Sequence, residues 1–524
     1  MPTVYPTSFA IEAELAGVGG GWTALTADVH SAEPILWSYG IEGHALEDRV
    51  ARPGELTFAL NNSQYNSGAK LGYYSPDHAN LRSGFQIGIN IRFSVTYAGV
   101  TYYKFHGRLC AIKPLPGQYL SRLALCLVRD WMDEASRAKL KRIAIQQLKR
   151  ADEVLTTIVT AVPRQPVSTT FGVGRDTYIF ALDHSPEEGL GVMEECQRLA
   201  QSEVGFIYVK GNTTAGGELV FESRTDRAAK NTNLATFTDS MIELDIGRDR
   251  DDIVTRLQVI THPKRKDTTN QILFTLRDPN VADATALSLL PGESKTLVCP
   301  YTDPSDRNHR IGAISTSMVA PVATTDYLFF ANADGTGTNL TASLSASTIF
   351  GATAAFTTLT NNHATSSGFV TFFQLRGPGV YDEQDQLWER TDATAEADFG
   401  EQTLTYDMPY QSDPDVGDGA ARYFLYLFKS SVTNVQGKRF LANWSASQLT
   451  QALVREPGDR IGIAETATGI STATPFFIHG CQGEYHHGGI VFMRWNLAPA
   501  SQLAFWLLGV SGVSELGTTT VLGF

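Results

Sequence analysis

Short stretches in which apolar and polar residues alternate recur along the 524-residue chain, and they constrain its fold more than any other feature. In Glu55–Leu60, directly after the turn pair Pro53-Gly54, large apolar residues alternate with Glu, Thr and Ala. Side chains of a β-strand point alternately to its two faces, so this alternation indicates strands with one buried face. Further strands are predicted for the segments "FQIGINIRFSVTY", "TYYKFHG" and "YLSRLALCLV". The chain should therefore be mainly β, with α+β insertions.

The apolar period changes from two to that of a helix between Asp133 and Val162, and Pro163 should end this helix. Its basic residues form either a patch for nucleic acid or the solvated face of an amphipathic helix; they are Arg137, Lys139, Lys141, Arg142, Lys149 and Arg150. A second helix should start after Ser185 as its N-cap, with Pro186 in the first helical position and Glu188 completing a capping box. The segment "GFIYVK…GELVFESR" then predicts a hairpin, and "DPDVGDG" precedes a third helix, in Asp415–Ser431.

Two pairs of distant stretches resemble each other. "SGFQIGI" (Ser83–Ile89) is similar to "PGDRIGI" (Pro457–Ile463), and "KFHGRLCAI" (Lys104–Ile112) is similar to "FIHGCQGEY" (Phe477–Tyr485). Both pairs keep their order and nearly their spacing. Gly84 and Gly107 are 23 residues apart in the first copy, and Gly458 and Gly480 are 22 residues apart in the second. We infer two copies of one β-barrel in a single chain.

A Thr-, Ser- and Gly-rich stretch with almost no lysine, from Ala323 to Tyr381, indicates an inserted all-β module of sandwich type. The chain is predicted to have seven parts. The first three are a first barrel (1–132), a helix and α/β connector unit (133–235) and the start of the second barrel (236–322). The others are the inserted module (323–381), a connector with a helix (382–435), the end of the second barrel (436–497) and a C-terminal segment that packs on the rest of the protein (498–524).

The formal net charge of −13 argues against a protein that grips DNA phosphates over its whole surface. The five cysteines are far apart and lack CxxC spacing, which favours small buried residues in a reducing compartment. The N-terminus does not have the pattern of a signal peptide, and no apolar run is long enough for a membrane helix. We therefore expect synthesis in the cytoplasm.

Candidate sites for chemistry have a structural alternative in every case. His479, Cys481, His486 and His487 are residue types that bind zinc, but His479-Gly480 matches His106-Gly107, where no such cluster follows. Asp413–Gly419 could hold calcium or cap the following helix. Asn332–Asn339 and the glycine-rich Gly17–Trp22 have the composition of turns. No residue is therefore assigned a catalytic, cofactor-binding or metal-binding role, and we expect a protein that is not an enzyme and needs no cofactor.

These residues together resemble the tail hub proteins of long-tailed bacteriophages. "ARPGELTFALNN", the Ser-Pro segment after it, the glycine-led strand and "KFHG" are similar to the N-terminal barrel of that family. "TGISTATPFFIHGCQGEY" and "FWLLGVSGVSELGTTTVLGF" resemble its C-terminal part, and "DYLFFANADGTGTNLTASLS" through "GFVTFFQLRGPGVY" resembles a β insertion of many members.

The resemblance implies a structural hub at the distal end of a phage tail tube. It would be a homotrimer with two tube-protein-like barrels per chain, forming a ring of quasi-sixfold symmetry around the DNA exit channel. Implied partners are a distal tail protein or tail tube ring, the tape measure protein, tail-tip or fibre proteins, and DNA that passes without specific binding. The location would be the virion tail tip, of a phage or of a related particle such as a gene transfer agent.

Two other functions stay open from the sequence. The first is binding of a host surface glycan by the module 323–381, and the second is a tail-associated polysaccharide hydrolase, although no carboxylate pair stands out as its catalytic dyad.

Overall fold

The protein is described from a computed structural model that covers residues 3–31, 33–117, 122–183, 189–276, 286–430, 434–500, 504–505 and 520–521. Strands make up 44% of it and helices 17%, which confirms the mainly β prediction. The largest element is one 13-stranded sheet to which both ends of the chain contribute. The predicted cap residues Ser185, Pro186 and Glu188, and most of the predicted C-terminal segment, lie outside the described residues.

The first part of the large sheet comes from the N-terminal segment. Its strands are β1 (Ser8–Ala13), β2 (Thr23–Ala24), β3 (Ile35–Gly40), β4 (Glu55–Asn61), β5 (Asn90–Tyr97), β6 (Val100–Leu115) and β7 (Leu123–Arg129). The strand predicted in "FQIGINIRFSVTY" starts only at Asn90, because Gly88 has a φ of +90° and Ile87 is exposed. The alternation in β4 is confirmed, since Leu56, Phe58 and Leu60 are buried.

A compact α/β unit follows. Its elements are α1 (Trp131–Arg137), β8 (Lys139–Leu140), β9 (Gln146–Arg150), α2 (Ala151–Ala161), β10 (Ser168–Phe171), β11 (Thr177–Ala181), β12 (Leu190–Gly191), α3 (Val192–Glu203), β13 (Phe206–Lys210), β14 (Glu218–Glu222) and α4 (Arg224–Ala229). The predicted hairpin is confirmed as the antiparallel pair β13–β14.

The segment Asp133–Val162 is not one helix, contrary to the sequence expectation. It contains α1, an extended stretch with β8 and β9, and then α2. Arg142 and Leu148 have φ values of +57° and +47°, which an α-helix does not contain. The apolar residues at helical spacing do not form one buried stripe, since Leu140 is buried in the α/β core whereas Leu148 is exposed. The basic residues therefore do not share one helix face.

The second part of the large sheet is formed by β15 (Thr236–Thr238), β16 (Glu243–Gly247), β30 (Asn434–Leu441), β31 (Arg460–Glu465), β32 (Ile470–His486) and β33 (Ile490–Pro499), with α7 (Ala446–Val454) packed on it. Of the segment 236–322, only β15 and β16 belong to this sheet. β17 (Arg256–Thr261) instead pairs with β28 (Gln386–Thr391) and β29 (Thr403–Met408). Helix α5 (Ala393–Phe399) connects these two strands, and α6 (Pro414–Phe428) packs on their sheet.

The inserted module is joined to the rest of the chain through β18 (Lys264–Lys266) and β27 (Gly379–Asp382), which pair with each other. Between them lie β19 (Gln271–Thr275), β20 (Leu287–Leu289), β21 (Ser294–Pro300), β22 (Gly312–Ala313), β23 (Tyr327–Phe330), β24 (Leu344–Phe350), β25 (Ala354–Asn361) and β26 (Gly368–Gly377). Its hydrophobic core includes Leu273, Leu289 and Tyr301. The structure thus places its beginning near Gln271, ahead of the composition change at Ala323. The last described strands are β34 (Ala504–Phe505) and β35 (Thr520–Val521).

The two parts of the large sheet have the same spatial strand order. The first unit reads β3-β4-β7-β6-β5-β1 and the second reads β16-β30-β33-β32-β31-β15. The long middle strand of each unit has a bulge, because the pairing skips Cys110 between Leu109 and Ala111 and skips His479 between Ile478 and Gly480. The units also differ, since β1 runs antiparallel to β5 whereas β15 runs parallel to β31.

The structural register of the repeat differs from the sequence match by four residues. The amide of Gly88 donates to the carbonyl of Leu109, and that of Gly458 donates to the carbonyl of Ile478, at 2.8 Å each. Gly458 therefore corresponds to Gly88 rather than to Gly84, and His479 corresponds to Cys110 rather than to His106. Short glycine motifs recur wherever a strand follows a tight turn, so they do not define the pairing.

Candidate assembly interface

The two units are joined inside the chain by β3 and β32. These strands pair antiparallel, with Trp37 opposite Gly483 and Leu36 opposite Glu484. A Cβ on Gly483 would lie 2.0 Å from the ring of Trp37, so only glycine fits beneath this buried indole. The backbone amide of Ile41 donates to the carbonyl of His479 at 2.8 Å, where this joint begins. The sheet is thus continuous from one unit to the other.

A buried carboxylate connects three parts of the chain at this joint. Glu456, in the turn before β31, accepts a hydrogen bond from the Tyr39 hydroxyl at 2.7 Å and from the Gly211 amide at 3.0 Å. It also forms an ion pair with Lys104, whose ammonium donates to the carbonyl of Leu453 at 3.1 Å. Burial raises the pKa of Glu456, and the Lys104 charge opposes that shift. The cluster therefore ties the first unit, the β13–β14 loop and the second unit together.

His479, the first residue of the metal hypothesis, belongs to another structural cluster. Its Nε2 lies 2.7 Å from Nη1 of Arg227, whose guanidinium also pairs with Glu222 and lies 3.4 Å from the centre of the Phe206 ring. Burial and the nearby Arg227 charge lower the pKa of His479 well below its usual value. A neutral imidazole can accept the hydrogen bond from Arg227, so this nitrogen is already used.

The other members of the zinc hypothesis have separate environments. Cys481 is buried beside Tyr39, whereas His486 contacts Glu484 at 3.1 Å and His487 lies exposed in the following turn. Within the described part of the chain, no three His, Cys, Asp or Glu side chains form a group that could hold a metal ion. The five cysteines are all free thiols.

The remaining candidates have local structural roles. Asp413 is the N-cap of α6, because its carboxylate accepts from the amide of Asp415 and Pro414 occupies the first turn. Asp418 forms a two-armed ion pair with Arg390. Asn332–Asn339 is a turn in which Asp334 accepts from Thr336. Gly17–Trp22 forms turns before the short strand β2, and no helix begins there.

Two of the sheet edges that have no partner strand among the described residues are those of β16 and of the last residues of β6. β16 pairs only with β30, and residues 111–115 of β6 pair only with β7. β16 corresponds to β3, and residues 111–115 of β6 correspond to residues 480–484 of β32. The two unpaired edges are therefore the equivalents, in the other unit, of the two edges that pair in the β3–β32 joint. An unpaired edge exposes backbone donors and acceptors to another chain.

One face of the sheet is concave where the two units meet. A depression of about 580 Å³ is lined by residues of β3, β4, β16, β30, β32 and β33. Its charged residues are of both signs, namely Glu55, Glu243, Glu484, Arg439 and Arg494. Arg439 pairs with both Glu243 and Glu484, at 3.3 Å each. The lining is therefore mixed polar and apolar, and its charges are largely balanced.

The residues of the joint carry no local sequence pattern that links them. Glu456 and Lys104 are 352 positions apart, and no local spacing links them. The alternation of "TYYKFHG" puts Tyr103 and Phe105 on one face and Lys104 on the other, so it gave no signal of the burial of Lys104. The pairing of β6 with β5 skips Lys104.

Comparisons with known proteins give similarity only at the level of solved structures. No protein-family model and no curated protein matches the chain. The 43 kDa tail protein of prophage MuSo2 from Shewanella oneidensis has 9% identity and a TM-score of 0.46, with 95% of this chain and 97% of that one covered. A tail protein from Neisseria meningitidis has 10% identity and a TM-score of 0.46, with 94% and 96% covered.

Prophage tail protein gp18 from Listeria monocytogenes has 9% identity and a TM-score of 0.40, with 93% of this chain and 94% of that chain covered. In the described residues, no helix has the length and apolar character needed to cross a membrane.

Proposed function

We propose that this chain is a structural tail protein of a bacteriophage or phage-like particle, and more specifically the hub at the distal end of the tail tube. Three copies would form a ring with quasi-sixfold symmetry that joins the tube to the tail tip and surrounds the channel for DNA. The proposal extends to a protein without catalytic activity, located in the virion. Its neighbours would be a tube or distal tail ring, the tape measure protein and tail-tip or fibre proteins.

The duplicated sheet is the observation that carries this proposal. Two units of equal strand order, each with a bulge in its middle strand, are joined edge to edge within one chain. Three such chains would present six similar units, and this arrangement would match a sixfold tube above a threefold tip. A closed ring of this type uses head-to-tail contacts, in which one surface meets a different surface of the next copy.

The charge of the concave face is consistent with a channel lining. It carries three carboxylates and two guanidiniums around the depression between the units. A surface rich in Lys and Arg would neutralise many DNA phosphates, release their counterions and hold the DNA tightly. A surface with nearly equal numbers of positive and negative charges would let the DNA slide. The net charge of −13 for the whole chain points in the same direction.

A host surface glycan is a second candidate ligand, favoured by one face of the inserted module. The outer face of sheet β21-β25-β24 carries two rows of hydroxyls that follow from the strand register, formed by Ser294, Thr360 and Ser345 and by Thr296, Thr358 and Ser347. Hydroxyl groups can both donate to and accept from sugar hydroxyls. A glycan array probed with the full chain, and with a variant lacking the module, tests this role.

The copy number and the symmetry test the main proposal. Native mass spectrometry of the purified chain should give a trimer, and a cryo-electron microscopy map of the particle should show three copies beneath a sixfold tube ring. Six copies per ring, or two units that do not superpose in the map, would refute the proposed hub. Degradation of cell-wall or capsule polymers by the purified chain would favour the hydrolase instead.

A further inference from the structure

The unpaired edges of β16 and of residues 111–115 of β6 are the structural counterparts of the two edges already joined inside the chain. The bulges place Gly480 at the position of Ala111, so that residues 480–485 of β32 correspond to 111–116. Leu36 lies opposite Thr57 in the first unit, and Asp245 lies opposite Gly437 at the same place in the second. β16 is therefore the counterpart of β3, and its natural partner edge is that of β6.

We infer that β16 of one copy pairs antiparallel with residues 111–116 of the next copy, in the register of the β3–β32 joint. The inference rests on the proposed ring and specifies its contacts. Within the chain, Leu36 faces Glu484 and Trp37 faces Gly483. In the same register between copies, Asp245 would face Leu115 and Ile246 would face Pro114. The faces agree, since Leu244 and Ile246 pack towards the core as Ile35 and Trp37 do.

Charge complementarity favours a second copy as the occupant of this edge. Lys113 and Asp245 form no ion pair within the described part of the chain, and Lys113 is exposed beside the free edge. In the transferred register Lys113 lies opposite Gly247 and diagonal to Asp245. Diagonal neighbours on one face of an antiparallel pair are about 7–8 Å apart, within reach of a lysine side chain.

Two prolines make this joint weaker than the one inside the chain. The Ile41 amide donates to the His479 carbonyl, so the carbonyl of His479 points towards β3. Because the carbonyl direction alternates along a strand, the carbonyls of Gly483 and Tyr485 also point towards β3. Their counterparts are Pro114 and Pro116, which have carbonyls but no amide hydrogen. The carbonyls of Pro114 and Pro116 can thus accept hydrogen bonds from the backbone amides of Ile246 and Leu244. Neither proline can donate a backbone hydrogen bond in return.

Three strong joints within chains and three weaker joints between chains therefore alternate around the ring. The prolines also limit non-specific pairing of the free edge, as they do at other sheet edges. Assembly and opening of the ring would both take place at the joints between chains.

Cysteine cross-linking tests the register directly. In a Cys110→Ser background, Asp245→Cys combined with Leu115→Cys should form a disulfide between copies under mild oxidation, giving bands up to trimer on a non-reducing gel. Directly opposite side chains have Cβ atoms about 4.5–5.5 Å apart, close enough for a disulfide. The matched control, Asp245→Cys with Ala111→Cys, is four residues out of register and should not cross-link.

The possible results separate the two proposals. A trimer that forms without the Asp245–Leu115 cross-link, or with equal cross-linking in the control, would refute the edge pairing and leave the ring. A chain that stays monomeric at every concentration and does not cross-link would refute both. Cross-links that continue beyond trimer into a ladder would support the edge pairing and refute closure at three copies.

Charge reversal tests the same contact without cysteines. Lys113→Asp and Asp245→Lys should each weaken association of the copies by about threefold to tenfold per contact, as measured by analytical ultracentrifugation. The double variant should recover most of the loss, because it restores opposite charges at the same two positions. Circular dichroism checks that each variant is folded. Losses that simply add in the double variant would refute the proposed contact.

Discussion

Phe58 and Lys438 occupy the same position in the two units of the large sheet. Phe58 lies opposite Cys126, and Lys438 lies opposite Trp495 on the corresponding pair of strands. Both side chains are buried, but one is a hydrocarbon ring and the other ends in an amine. The Lys438 Nζ lies 3.1 Å from the centre of the Phe237 ring and has no hydrogen-bond partner among the described residues. Burial lowers the pKa of Lys438 well below its usual value.

Replacing this lysine should stabilise the protein. Lys438→Met keeps the length of the side chain and removes an unsatisfied polar group, so the free energy of unfolding should rise by about 1–3 kcal/mol. A rise in the midpoint of denaturant unfolding would be the expected measurement. The exposed Lys139→Met serves as the control and should change stability by less than about 0.5 kcal/mol.

The same residue predicts a pH dependence. The pKa of Lys438 is lower in the folded than in the unfolded state, so the unfolded chain binds the extra proton. Stability should therefore increase with pH towards the unfolded value of about 10.4, with a slope of at most about 1.4 kcal/mol per pH unit. Lys438→Met should lack this part of the slope between pH 7 and pH 9. Parallel slopes in the wild type and the variant would contradict the assignment.

Breaking the ion pair at the joint should be costly. Glu456→Gln leaves the ammonium of Lys104, which is fully buried, without its counter-charge, and the expected loss is about 3–5 kcal/mol. The double variant Lys104→Met with Glu456→Gln removes the buried charge and should lose less than the single variant. Glu484→Gln, on the partly exposed side of β32, is a control with an expected loss below about 1 kcal/mol. Urea unfolding of the four proteins compares them.

Protonated His262 should stabilise the folded protein at acidic pH. Its ring lies between Asp407, 2.6 Å from Nε2, and Asp385, 2.8 Å from Nδ1. The hydrogen bond to Asp407 raises the pKa of His262, against the effect of burial. The contribution is therefore complete below the unfolded value of about 6.5 and disappears as the pH rises through the folded value. Because these groups are partly exposed to solvent, we expect about 0.5 kcal/mol.

Melting temperatures of the wild type and His262→Gln measure this effect. The difference should be largest near pH 5.5 and should vanish at alkaline pH. His487→Gln, in an exposed turn, should show no such trend. A difference between wild type and His262→Gln that grows with pH would contradict a raised pKa of His262 in the folded state.

The extent of the inserted module predicts which deletion is tolerated. Replacing 267–379 by Asn-Gly connects the paired residues Lys266 and Val380 with a two-residue turn, and the remaining chain should fold. Deleting only 323–381 leaves Leu273, Leu289 and Tyr301 without most of their core, so that variant should aggregate. Size-exclusion chromatography and circular dichroism distinguish the results. Equal solubility of both variants would contradict the boundary near Gln271.

Local patterns in the sequence were sufficient for several elements. The alternation in β4, the β13–β14 hairpin and the capped helix α6 after Asp413 are all present as predicted. These features depend on residues within a few positions of each other, because strand alternation, turns and caps follow from backbone geometry. A duplication was also inferred from the sequence, as two copies of one β-barrel, although the matched register was four residues off.

Tertiary structure alone decided how these elements are combined. The division of Asp133–Val162 into two helices and two strands follows from packing against two different cores. The β3–β32 joint and the Lys104–Glu456 pair unite residues more than 300 positions apart, which no local period encodes. Local sequence patterns thus determined elements such as β4, the β13–β14 hairpin and α6, but not the elements within Asp133–Val162. Only the fold decided which of them meet, because pairing depends on the burial and hydrogen bonding of partners that are distant in the chain.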